Sequence, residues 1–235
     1  MSNTKNSFVL SFFKRFHRQE NAALPENFTV TAHAGSMHTP ANGLFSLSAG
    51  IRAGADTVEF DLNTNKAGIG VLAHTYPEKA KATLDEAFRL IAEHDKIQVN
   101  VDVKSTACLA QVQELAQKYG ILDRIFYTGL SADSIPAAKE KSPLVPYYLN
   151  SSPERTDMIL EARCDELCDK ALALGAVGLN MHFSLVTKKL VASAHNKGLL
   201  VSVWTVNREE DMRKCLRLGV DNITTKKPLR LVLIK

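Results

Sequence analysis

From Phe28 to Thr225 the chain alternates short aliphatic, β-branched runs with amphipathic stretches, and Gly54, Gly120, Gly175, Gly198 and Gly219 stand at the joints. Glycine just past the last helical turn is a C-terminal stop. Strands are predicted at Phe28–Ala32, Thr57–Leu62, Ile97–Lys104, Arg124–Thr128, Leu144–Leu149, Ala176–Asn180, Leu199–Val206 and Asn222–Thr225, with a shorter one at Gly68–Ala73. Helices are predicted between them, over 44–53, 85–93, 108–119, 132–141, 157–174, 185–197 and 209–218. Eight main strands, all but the last followed by a clear helix and joined by short connections, predict an α/β single domain closed as a TIM (β/α)8 barrel. A doubly wound open sheet is the alternative. The first strand runs into HAGSMH, which has neither GxGxxG nor a GK[ST] pair, so no nucleotide loop supports it.

The length of 235 residues, 45% hydrophobic and 23% charged, suits one core of that size. A net charge of +4 with scattered Lys and Arg reads as a solvated surface, compatible with an anionic substrate and not pointing to nucleic acid. Four cysteines, with Cys164 and Cys168 on one predicted helix and no second pair at zinc spacing, imply free thiols in a reducing compartment. The expected location is cytoplasmic. No run reaches the ~20 apolar residues of a membrane helix. Residues 1–26 read as an N-terminal amphipathic helix and linker ahead of a barrel over 27–235. Phe8, Val9, Phe12, Phe13 and Phe16 share one helical face, and Lys14, Arg15 and Arg18 lie beside or opposite it. The segment is too short and too late-charged for a signal peptide. Packing on its own domain is the first expectation, and weak contact of residues 8–18 with an anionic membrane the second.

The chemistry gathers in TVEFDLNTNKAGIGVLAH, Thr57 to His74. A strand turns successive side chains to opposite faces, so Glu59 and Asp61 point one way and Val58, Phe60 and Leu62 the other. Two like charges on an inner face cost several kcal/mol to bury unpaired, and a cation between them removes the problem. The strand VNVDVK repeats the pattern, with Asn100, Asp102 and Lys104 on the polar side. In a barrel of this type the active site lies at the carboxyl ends of the strands. There the sequence offers His33, Glu59, Asp61, His74, Asp102, Lys104, Asn180 and Trp204. Glu59, Asp61 and Asp102 make a hard oxygen site suited to Mg²⁺ or Ca²⁺. His33 and His74, on different strands, suit an acid/base pair. Lys104 suits a phosphoryl oxygen, and Asn180 and Trp204 the substrate. Together they describe metal-assisted cleavage of a small phosphodiester. The competing interpretation pairs Glu59 and Asp61 with Lys104 and an arginine, without metal. His38 and His182 stay open, while His17, His94 and His195 fall on predicted helices, where surface or packing roles are expected.

From about Phe28 to Leu229 the chain resembles the glycerophosphodiester phosphodiesterase family. The segment Gly54-Ala55-Asp56-Thr57-Val58-Glu59-Phe60-Asp61 is similar to its Gly-Ala-Asp-x-Ile-Glu-x-Asp, and Trp204-Thr205-Val206-Asn207 keeps its Trp-Thr-Val-Asn. His33-Ala34-Gly35, His74-Thr75 and Asp102-Val103-Lys104 stand where that family has His-Arg-Gly, His-Asp and Glu-x-Lys. The resemblance implies a TIM barrel that cleaves glycerophosphodiesters to glycerol 3-phosphate and an alcohol. It also implies His33 and His74 as the acid/base pair, Glu59, Asp61 and Asp102 as ligands of a divalent metal, and Lys104 on phosphate. Three departures accompany it. Ala34 replaces an arginine that would clamp phosphate, Asp102 is one methylene shorter than Glu, and only Thr75 to Ala82 stands where relatives carry an insertion. The missing insertion predicts a more open mouth and either a bulkier substrate, such as a lysophospholipid or a polymeric diester, or a lid from another chain. A binding or regulatory barrel that has lost catalysis, and a lyase giving a cyclic phosphate, are the alternatives.

Overall fold

The computed structural model describes residues 25, 28–153 and 160–235. The predicted amphipathic segment at residues 8–18 lies outside the described residues. Nine strands among the described residues form one sheet: β1 (Thr29–Ala32), β2 (Thr57–Thr64), β3 (Gly70–Leu72), β4 (Gln98–Val103), β5 (Ile125–Thr128), β6 (Tyr148–Asn150), β7 (Gly178–His182), β8 (Leu200–Trp204) and β9 (Asn222–Thr225). The order is β5-β4-β2-β1-β9-β8-β7-β6, with β3 as an antiparallel flap on β2. All the other strand pairs are parallel. Between β5 and β6 the ladder shrinks to one bridge, Tyr127 with Tyr147, supported by Tyr127 N–H donating to Pro146 O at 2.9 Å. That bridge closes the TIM barrel.

Eight helices among the described residues surround it: α1 (Leu44–Arg52), α2 (Leu84–Ala92), α3 (Leu109–Lys118), α4 (Ile135–Lys141), α5 (Glu161–Leu174), α6 (Lys188–Asn196), α7 (Glu209–Leu218) and α8 (Pro228–Val232). The last strand is therefore followed by a short helix, α8, that the sequence reading lacked. The fifth main strand, β6, also differs. It begins at Tyr148 rather than Leu144, because Val145 N–H closes a turn on Ser142 O at 3.1 Å and Pro146 has no N–H to give a ladder. Gly175 and Gly219 end α5 and α7 in the left-handed region, at φ 77° and 79°.

The alternation in β2 and β4 sorts side chains as expected. Val58, Phe60, Leu62, Val99, Val101 and Val103 are buried, and Phe60 meets Phe88 of α2 edge-on at 6.3 Å. The barrel interior is small and polar rather than filled by branched aliphatics. Asn222 Nδ2 donates to Thr31 Oγ1 at 2.7 Å and Thr29 Oγ1 at 2.8 Å, and Ser202 Oγ donates to Asn222 Oδ1 at 3.1 Å. These bonds between neighbouring strands satisfy Asn222, Thr29, Thr31 and Ser202, which offsets their desolvation. All four cysteines are buried free thiols, so Cys164 and Cys168 are helix-face core residues. No helix among the described residues is long and apolar enough to cross a membrane.

Candidate active site

At the carboxyl ends of the strands lies a cavity of about 310 Å³. Its wall includes all eight residues singled out from sequence: His33, Glu59, Asp61, His74, Asp102, Lys104, Asn180 and Trp204. Asn100, Thr128, Asn150, Thr205 and Thr224 complete it. Thr128 and Asn150 end their strands, so the strand-end rule that singled out Asn180 would have found them. His182 is not among the residues of the cavity wall; it sits edge-on to Trp204 at 5.7 Å, with Nδ1 2.8 Å from Ser184 Oγ. His195 is outside it too, with Nε2 2.9 Å from Asp221 Oδ2.

Strand register assembles the acids. Asp61 of β2 stands directly opposite Asp102 of β4, and Glu59 opposite Asn100. Like charges opposite one another in a ladder repel, so something cationic must intervene. Lys104 does so in part, with Nζ 3.1 Å from Asp61 Oδ1 and 2.9 Å from Asp102 Oδ2. Glu59 is served differently: its Oε2 accepts from Ala34 N–H at 2.6 Å. Of the competing metal-free pairing, the Lys104–Asp61 contact is present, while no arginine joins the cluster in the ion pairs among the described residues and Glu59 has His33 Nδ1 at 3.9 Å. Asn42 orients Asp61 from both sides, Nδ2 donating to Oδ2 at 2.7 Å and Oδ1 accepting from Asp61 N–H at 2.9 Å.

Burial, with the charges of Asp102 and Asp61, pushes the Glu59 carboxyl well above its ordinary range. Burial also raises Asp102, although Lys104 pulls against it. For Lys104 burial works to lower the ammonium, but Asp102 and Asp61 outweigh it and the net shift is upward. The cluster is therefore short of positive charge. Two further facts fit a cation. One oxygen each of Glu59, Asp61 and Asp102 lie within 4.8 Å of one another, and Asp102 Oδ1 is buried with no hydrogen-bond partner. An all-carboxylate donor set of this size suits a hard divalent ion.

The two histidines flank the acids and differ in setting. His33 Nδ1 lies 2.7 Å from Ala34 O. A carbonyl only accepts, so Nδ1 carries the proton and the neutral ring keeps its lone pair on Nε2. Burial lowers the His33 pKa, against the raising effect of the Ala34 carbonyl and Asp61. His74 is exposed at the mouth, with Nδ1 3.0 Å from Thr75 Oγ1. Beyond it, residues 73–83 hold one short 3-10 turn, Pro77–Lys79, before α2. Asn180 Oδ1 and Trp204 Nε1, an acceptor and a donor of two residues that line the cavity, are buried without hydrogen-bond partners.

The chain is similar to known proteins in sequence and in fold. A curated glycerophosphodiester phosphodiesterase from Caldanaerobacter subterraneus is 24% identical, over 86% of this chain and 96% of its own length. An Oleispira antarctica phosphodiesterase, solved in complex with the product sn-glycerol-3-phosphate, superposes with a TM-score of 0.70 at 20% identity, over 89% of this chain and 96% of that one. A Thermotoga maritima glycerophosphodiester phosphodiesterase gives a TM-score of 0.66 at 20% identity, over 90% and 100%. The profile of the Glycerophosphoryl diester phosphodiesterase family matches residues 76–230, a stretch that includes Asp102, Lys104, Asn180 and Trp204 and begins just past His74. The chain belongs to the glycerophosphoryl diester phosphodiesterase family, a family of phosphoric diester hydrolases.

Proposed function

We propose that the protein hydrolyses a glycerophosphodiester, or a related lysophospholipid-type diester, to glycerol 3-phosphate and an alcohol. The observation that carries this reading is the unpartnered Asp102 Oδ1 beside Glu59, Asp61 and Lys104, in one cavity with two histidines. Family membership supports it, as does the fold shared with a phosphodiesterase that binds the product glycerol 3-phosphate.

Glu59, Asp61 and Asp102 would hold a divalent cation, Mg²⁺ or Ca²⁺. Bound there, it would neutralise charge on the phosphoryl oxygens. Lys104, steadied by Asp61 and Asp102, offers its ammonium to the same oxygens. His33 Nε2 has a free lone pair, and its lowered pKa keeps the ring neutral near pH 7. It therefore suits the base that takes the proton of the attacking oxygen, whether water or the substrate's own hydroxyl. His74, out at the mouth, suits the acid that protonates the departing alkoxide. Trp204 Nε1 and Asn180 Oδ1 offer a donor and an acceptor to glycerol hydroxyls. The short 73–83 connection leaves the mouth open to a substrate larger than glycerophosphocholine. Free buried thiols suit a cytoplasmic setting.

The test is release of glycerol 3-phosphate from glycerophosphocholine, with and without EDTA, by wild type and His33→Ala. EDTA should abolish activity, and His33→Ala should lower kcat by about 10²–10⁴-fold. Activity that survives both treatments sinks the mechanism. No hydrolysis of any diester, with no Mg²⁺ or Ca²⁺ binding by calorimetry, would favour a binding barrel. A cyclic phosphate product would make it a lyase.

A further inference from the structure

The mouth rim carries a second concavity, separate from the catalytic cavity. It is a groove of about 330 Å³ between the turn after β1 and the start of α8. Its floor is apolar: Met37, Leu229 and Leu233 line it and are 36%, 45% and 70% exposed. Its flanks are cationic, with Lys226, Lys227, Arg230 and His38 and no carboxylate among the lining residues. Glu209 engages Arg230, but neither Lys226 nor Lys227 has an ion pair among the described residues.

The backbone holds this groove on the mouth side of the barrel. β1 and β9 are parallel neighbours, and the loops beyond them are tied together. His33 N–H donates to Thr225 O at 2.9 Å, and Met37 N–H to Lys226 O at 3.0 Å. Thr224 lines the catalytic cavity, and two residues on Lys226 lines the groove. A second contact of the same character lies past His74: Tyr76 is 71% exposed, and Lys79 Nζ stands 5.3 Å from its ring centre.

Exposed apolar side chains flanked by unpaired ammonium groups match the chemistry of an anionic lipid surface. The apolar groups gain by entering the headgroup layer, and the cations gain from lipid phosphates. The chain's own residues 8–18 are a poor occupant by charge, because Lys14, Arg15 and Arg18 would bring cations to cations. We propose that the groove of Met37, Leu229 and Leu233 with Lys226 and Lys227 docks the barrel mouth on an anionic lipid bilayer.

Cosedimentation of the full chain with phosphatidylcholine vesicles, with and without phosphatidylglycerol, tests this. Binding should require phosphatidylglycerol and weaken with salt. The double variant Lys226→Gln/Lys227→Gln should bind such vesicles about 25-fold more weakly, from roughly fivefold per lysine near the surface. Leu229→Asp/Leu233→Asp should lose binding, and Leu229→Ser gives a milder version if thermal melts show that pair unfolded. All variants keep residues 8–18. Wild-type affinity in the lysine variant would assign membrane contact to that segment and overturn the groove. So would equal binding to neutral vesicles, no binding at all, or a dimer that Leu229→Asp dissociates while vesicles are ignored.

Discussion

Glu59 is the most exposed to consequence of the site residues, although it is almost wholly buried. Among the described residues its partners are the Ala34 N–H at 2.6 Å and His33 Nδ1 at 3.9 Å, and two carboxylates stand near it. Glu59→Gln removes a charge the metal-free protein holds at a cost. It should stabilise that protein near pH 7 by on the order of 1 kcal/mol while abolishing the stabilisation that Mg²⁺ or Ca²⁺ gives. Urea titrations with and without the ion check both signs, and a variant that lost stability without metal would remove the charge argument. Glu59, Asp61 and Asp102 were legible in sequence because period-two alternation in a strand is enough to put charges on one face. Asn42 carries no such local signal. Its two bonds to Asp61 need a loop folded across the top of β2, which no local pattern specifies.

At the scale of elements, two small features hold the site. Gly129, directly after β5, has φ +78°, and a Cβ there would lie 2.1 Å from Asp102 Oδ1 and within 2.8 Å of the Val103 backbone. Gly129→Ala should therefore displace Asp102, costing roughly 1–3 kcal/mol and weakening metal binding with it. Calorimetric titration of Mg²⁺ or Ca²⁺ into the variant reads the second effect. Unchanged affinity would mean that β5 gives way instead. Thr83 starts α2 with a reciprocal capping box, Oγ1 accepting from Glu86 N–H and Thr83 N–H donating to Glu86. Thr83→Ala should cost about 1 kcal/mol in denaturant unfolding and leave metal affinity alone. The Thr-x-x-Glu spacing is the local signature of such a cap. The role of Gly129 has no local signature, since it depends on β4 lying beside β5.

For the whole molecule the carboxylate cluster couples folding to pH and metal. The Glu59 pKa is raised in the folded state, so below its unfolded value its contribution to stability is fully present. That contribution is lost as pH rises through the folded value. His33 is lowered, so its contribution is present above its unfolded value of 6.5 and lost as pH falls through the folded one. Glu59 and Asp102 should thus cost the metal-free protein stability from the carboxylate range upward, against the opposite trend from His33, and a divalent ion should raise Tm more near about pH 7 than near about pH 5. Thermal melts with and without the ion at the two pH values check this. An ion-induced shift independent of pH would mean that the acids do not hold it.

The sequence by itself determined the βα alternation, the outward aliphatic and inward polar faces of β2 and β4, and the strand-end placement of the site residues. These follow from periodicity and from glycine stops, which are properties of a dozen neighbouring residues. Only the tertiary structure decided that Asp61 faces Asp102 across one ladder, that Lys104 reaches both, and that the Ala34 carbonyl sets which nitrogen of His33 is free. It also decided that a short bridge at Tyr127 closes the ring and that α8 brings an apolar groove beside the mouth. Each of these joins residues far apart in the chain, and barrel closure is what brings them within hydrogen-bond or van der Waals reach.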